Sequence, residues 1–145
     1  MTTTNSDDAA DLEAVVRRYY AVVSDLGSTA ADLEALLAAD VLITEHPNPI
    51  SPNGAVRDKD ATLAGFAAGK ALLRAQSFDV REIVVNGERA AVRAIWRATI
   101  GIDAGPFRAG QELTAQVASW LTVRDGRIVA HETYDCYQPW SAPLP

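Results

Sequence analysis

The sequence predicts an α+β fold, a mostly antiparallel sheet with three helices on one of its faces. Two observations carry this expectation. Apolar residues at helical spacing are confined to the first half of the 145-residue chain. The second half alternates between apolar and polar residues and is punctuated by Asn86-Gly87 and Asp125-Gly126, both hairpin signals.

The elements follow in order. Leu12, Val15, Val16, Tyr19, Val22, Val23 and Leu26 recur every three or four residues, giving a first helix from Asp8 with one buried stripe. Asp7, Asp8 and Asp11 suit its positive N-terminal end, and Gly27 stops it. Thr29 is placed to cap a short second helix, with Asp32 three residues on and a stripe of Leu33, Leu36 and Leu37. Residues 41–46 read as a strand. Pro47, Pro49, Pro52 and Gly54 forbid regular structure over 47–54. A third helix, capped by Asp58 or Asp60, is predicted to run to about residue 76, burying Leu63, Phe66, Ala67 and Leu73.

Strands are predicted over 78–85, 89–100, 111–124 and 127–137. Ala90, Val92, Ala94, Trp96, Ala98 and Ile100 share one face, with Trp96 expected between sheet and helices. Leu113, Ala115, Val117, Ser119, Leu121 and Val123 share a face of the next strand. In the last strand His131, Thr133, Asp135 and Tyr137 lie on one face and Ile128, Ala130, Glu132, Tyr134 and Cys136 on the other. One domain over 8–138 is expected, with 1–7 and 139–145 as tails.

Thirteen Lys+Arg against nineteen Asp+Glu give a net charge of −6. This argues against nucleic acid and anionic membrane surfaces, which both need a basic face. The single cysteine, Cys136, excludes an internal disulfide and a Cys-rich zinc site. The first eight residues are polar, unlike a secretory signal, and no apolar run approaches the roughly 20 residues that span a bilayer. A soluble cytoplasmic protein is the expectation.

Val15-Val16-Arg17-Arg18-Tyr19-Tyr20, Glu45-His46-Pro47, Asp125-Gly126-Arg127-Ile128-Val129 and Tyr134-Asp135, in this order and spacing, resemble the nuclear transport factor two-like superfamily. The similarity is to its SnoaL-like and ketosteroid-isomerase-like branch and spans about residues 8–137. It implies a cone-shaped, curved sheet enclosing a pocket, and a scaffold that serves isomerases, polyketide cyclases, epoxide hydrolases, dehydratases and non-catalytic binding proteins. Tyr19 matches the oxyanion-donating tyrosine of the isomerases. His46 stands where they carry the general base, and Ser119 where they carry a protonated Asp, so steroid isomerisation does not transfer. Asp135 matches a carboxylate that SnoaL-like proteins often place on the last strand, and the resemblance turns the His131/Asp135 face inward.

The candidate catalytic residues are therefore His46, Asp135, Tyr19 and His131, around a pocket lined by Phe66, Trp96, Val117, Ser119 and Leu121. A mostly apolar wall with few ionisable groups suits a small ligand, such as a polyketide, steroid or terpenoid. His46 is of the residue type that ordinarily suits acid/base work at physiological pH, or is a strand-end histidine bonded to the loop. Asp135 inside the cone needs hydrogen bonds or a raised pKa. Glu45, His46, His131 and Asp135 are metal-ligand types without a ligand spacing, and no phosphate loop is present, so neither metal nor cofactor is expected. The outer sheet face carries Arg93, Arg97, Thr114, Gln116 and Thr122, interrupted by Ile95 and Trp120. That pattern predicts a homodimer through this face. The function expected is a cofactor-independent acid/base enzyme, the alternative a ligand-binding or dimerisation protein of the same fold.

Overall fold

A computed structural model describes residues 5–140, in the order α1 (Asn5–Ser24), α2 (Ala30–Glu34), β1 (Leu37–Glu45), β2 (Ala55–Arg57), α3 (Lys59–Leu72), β3 (Leu73–Asn86), β4 (Arg89–Ile100), β5 (Glu112–Arg124) and β6 (Arg127–Tyr137). The expected tails at 1–4 and 141–145 lie outside the described residues. Residues 5–7 are not tail: α1 already begins at Asn5.

The six strands form one curved sheet in the order β2-β1-β6-β5-β4-β3. Every neighbouring pair is antiparallel except β1 and β6, which run parallel. The two long hairpins sit where they were expected. Asp125 (φ 52°) and Gly126 (φ 72°) both adopt the left-handed conformation that a tight two-residue turn requires. The buried stripe of α1 packs Val16, Tyr19 and Tyr20 into a core with Val92, Ala94, Val117 and Leu121. A smaller cluster of Ile100, Phe107 and Leu113 closes the far end.

Four local expectations are corrected. First, α2 is a single turn held by its Thr29/Asp32 capping box, and Leu37 belongs to β1. The Leu36–Leu37 pair is drawn into the sheet, where the Ile128 amide donates to the Leu36 carbonyl at 2.8 Å. Second, residues 47–54 are irregular as expected, but they are followed by a short strand that was not expected, β2, paired with β1. Gly54 permits this return with φ 66°, passing so close to the Glu45 carbonyl that a Cβ would sit 2.5 Å from its oxygen. Third, α3 ends at Leu72, and residues 73–77 extend β3, because they pair with the end of β4. Gln76 there accepts from Trp96 Nε1 at 2.9 Å and donates to the Val23 carbonyl at 3.0 Å, tying the end of α1 to the sheet. Trp96 itself is half-buried rather than buried. Fourth, a bulge in β6 around Val129 shifts the alternation. Ile128 and His131, expected on opposite faces, both point into the core.

Candidate active site

Five side chains from three elements form one continuous hydrogen-bonded chain. Tyr19 Oη of α1 lies 2.9 Å from His131 Nδ1 of β6. His131 Nε2 lies 3.1 Å from Ser119 Oγ of β5. Ser119 donates to Thr133 Oγ1 at 3.2 Å, and Thr133 donates to Asp135 Oδ1 at 2.6 Å. Strand pairing creates this row, since Ser119 sits opposite Thr133 and Val117 opposite Asp135.

The polarity of the chain follows from counting protons. Each hydroxyl has one proton to give. With Asp135 ionised, Thr133 spends its proton on the carboxylate and Ser119 spends its own on Thr133. Toward His131, Ser119 can then only accept, so the proton of the neutral ring lies on Nε2. Nδ1 is left to accept from the Tyr19 hydroxyl. Burial favours this neutral ring and pushes the His131 pKa down to about 4. Burial likewise pushes Tyr19 far up, so its hydroxyl stays protonated.

Asp135 ends the chain at a cavity of about 140 Å³ between α1 and the concave face of the sheet. Tyr20, Phe78, Trp96, Val117 and Tyr137 form much of its wall, with His131, Ser119 and Thr133 behind Asp135. Partial burial raises the Asp135 pKa, Thr133's hydrogen bond opposes the rise, and the like charge of Glu45 adds to it. No lysine, arginine or histidine pairs with Asp135 among the described residues. The Tyr20 hydroxyl is buried without a hydrogen bond of good geometry. Its pKa is pushed up to about 12 by burial and, less, by the Asp135 charge, with the neighbouring Ser119 hydroxyl opposing.

Of the sequence-predicted residues, His131, Asp135, Ser119, Trp96 and Val117 line this cavity. Tyr19 reaches it only through His131. Phe66 and Leu121 do not line it. Phe66 lies under Lys70 on α3 instead, and Leu121 is sealed in the core. The placement of His46 is corrected. Its ring stacks on Tyr134, 4.2 Å between centroids, and bonds Glu132 at 2.9 Å. Glu132 and Tyr134 alternate with Thr133 and Asp135, so His46 lies on the opposite face of the sheet.

At the end of β1 the inner face is continued, after Val41 and Ile43, by Glu45, in register with Thr133. It accepts from Arg57 at 3.0 Å and from Asn48 at 2.8 Å. Asn48 also accepts the Ile50 and Ser51 amides, so the proline-rich loop is fixed by one satisfied amide. The sequence puts Tyr137 on the Asp135 face and Glu45 among metal-ligand types, yet neither of them, nor Tyr20 or Phe78, is among the expected site residues. Strand parity with Asp135 and Val41 could have found Tyr137 and Glu45, and the i, i+4 step from Val16 could have found Tyr20.

A larger cleft, about 880 Å³, opens between the start of α1 and the two hairpin turns, beside Asp8, Asp11, Glu88 and Asp125. It has no aromatic wall and none of the groups in the hydrogen-bonded chain. Among the described residues no three His, Cys, Asp or Glu side chains are grouped to hold a metal ion, and no helix is long and apolar enough to cross a membrane.

A family model described as the SnoaL-like domain matches residues 16–131. The chain belongs to the SnoaL-like family. Several solved structures resemble this SnoaL-like chain. IdmH from Streptomyces antibioticus, described as a candidate polyketide cyclase, is 25% identical with a TM-score of 0.71, over 86% of this chain and 91% of that one. A candidate polyketide cyclase from Xanthomonas campestris is 20% identical, TM-score 0.70, over 88% and 91%. AclR from Streptomyces galilaeus, described as a candidate hydroxylase, is 17% identical, TM-score 0.71, over 88% and 76%. A structure from Catenulispora acidiphila described as having a ketosteroid isomerase-like fold is also among the neighbours. The search of curated proteins found no match.

Proposed function

We propose that this SnoaL-like protein is a cofactor-independent acid/base enzyme of isomerase, cyclase, dehydratase or hydrolase type, acting on a small, mostly apolar ligand. The observation that carries the reading is Asp135. It is a carboxylate on an aromatic and aliphatic cavity, without a cationic partner among the described residues and with a raised pKa. A carboxyl tuned upward toward neutrality is suited to taking and returning a proton. Thr133 holds Oδ1, which leaves Oδ2 for the transfer. Tyr20, protonated and without a good partner, is the donor for developing negative charge on the ligand. Tyr19, His131 and Ser119 hold Thr133 and Asp135 in place; their own donors and acceptors are engaged with one another. The candidate cyclase IdmH supports an enzyme-type role.

Asp135→Asn keeps the shape and removes the proton acceptor. Turnover of the eventual substrate should fall by at least about a hundredfold, the usual worth of a general base, with the thermal midpoint little changed. Unchanged turnover in that variant, or ligand binding without turnover in the wild type, would leave a binding protein of the same fold.

We further infer a homodimer through the outer sheet face. Trp120 is 47% exposed there, with Leu42 and Tyr134 also exposed. Trp120 pairs with Glu132, and Ala118 with Tyr134, so the two rings lie diagonally on adjacent strands. Large aromatic side chains ringed by charge suit an interface core.

A further inference from the structure

We propose that the cavity takes a tertiary or quaternary ammonium group, so that the ligand of this SnoaL-like site is a mostly apolar molecule bearing one compact methylated cation. The proposal rests on the reading above, in which Asp135 faces the ligand, and names the chemical class of that ligand.

Four of the chain's ten aromatic residues, Tyr20, Phe78, Trp96 and Tyr137, line this one cavity. The face of an aromatic ring is negative and attracts a cation, and methylated ammonium groups are characteristically held in such cages. When ionised, Asp135 adds a negative charge on the same wall. The charged neighbour that acts on it is another carboxylate, Glu45, which raises its pKa further. A neutral ligand would desolvate Asp135 and give it no counter-charge, whereas a cation supplies one. A full anion would be repelled by Asp135 with one free hydroxyl, that of Tyr20, to receive it, and the net charge of −6 favours approach of a cation.

The shape of the cavity decides among cations. Its volume of about 140 Å³ is close to that of an apolar cavity that holds benzene, roughly 150 Å³. That is enough for a trimethylammonium group. A primary ammonium needs three acceptors, and the Ser119 and Thr133 hydroxyls are already engaged along the chain to Asp135. Methyl groups instead find apolar contact at Val117 and Ala115.

Choline and its uncharged isostere 3,3-dimethyl-1-butanol separate charge from shape. Each is titrated into the full-length protein while the Trp96 indole resonance and the heat of binding are followed. Choline should bind at least about tenfold more tightly than the alcohol, as expected for a desolvated cation–π site with a carboxylate. Asp135→Asn should erase that preference while leaving the alcohol's affinity unchanged. Tyr137→Leu should weaken choline more than the alcohol. Equal affinity for the two probes overturns the ammonium assignment, as does a wild-type preference that survives Asp135→Asn, or binding of neither probe. None of these three results touches the acid/base reading, which fails separately if Asp135→Asn keeps full turnover.

Discussion

The Tyr19 hydroxyl meets His131 Nδ1 at 2.9 Å, joining residues 112 positions apart in the sequence. This contact fixes the imidazole tautomer from behind, on the side away from the cavity. It makes the histidine a neutral strut rather than a base, since both ring nitrogens are engaged.

Stability should therefore depend on pH through His131. Its folded pKa is depressed from 6.5 to about 4. Below about 6.5 the unfolded chain binds a proton that the folded chain refuses, so the contribution is complete above that pH. It is lost as pH falls through the window toward about 4, a change on the order of 3 kcal/mol. Asp135 acts in the opposite sense: its raised pKa favours the folded state at low pH and loses that advantage as pH rises through the folded value. Urea midpoints measured from pH 7 to 4 should show the His131 loss, and His131→Gln should flatten it. A wild-type profile that already lacks this fall would contradict the assignment.

Thr133→Val removes the hydroxyl that stabilises ionised Asp135. The Asp135 pKa should rise further, because a hydrogen bond to the charged form is lost. Carboxyl carbon NMR titration reads this directly, with a shift of about one unit or less. A lowered pKa would show that Thr133 does not donate to the carboxylate.

His46→Ala should leave turnover within about twofold and cost less than about 1 kcal/mol, the usual worth of a solvated ion pair and ring contact. The His46 side chain is about one-third exposed and its partners lie on the outer face. A large loss of turnover would mean that the outer face takes part in the chemistry.

Trp120→Glu should convert a dimer to a monomer, because an unpaired carboxylate would be buried in the interface core. Light scattering at micromolar concentration measures it. A wild-type mass near 15.5 kDa would already exclude the dimer.

Much of the fold was legible because hairpins and amphipathic helices write local signals. Asn86-Gly87 and Asp125-Gly126 fix two turns, and the α1 stripe fixes its buried side. The boundaries at Leu37 and Leu73 were not legible. In both places helical spacing continues on paper while distant strands, β6 and β4, capture the backbone. The site was legible on β5 and β6, where Ser119, His131 and Asp135 follow strand parity. It failed at His46, where motif position pointed to one residue and alternation turned its neighbour Glu45 inward. Tyr20 was hidden by Tyr19, since adjacent residues on a helix can both be buried on a wide apolar face.

The place of β6 between β1 and β5 also sets the order in which the molecule can be born. Both neighbours leave the ribosome before it, each with one edge open to β6. The parallel partner β1 lies some 90 residues upstream, so closing it requires a long loop to be drawn in, a slow event in chains rich in distant contacts. His131 and Asp135 arrive only with that closing strand. A nascent chain that stops before it has two adhesive edges and no site, so β6 both completes the pocket and pairs the two edges at which aggregation competes with folding.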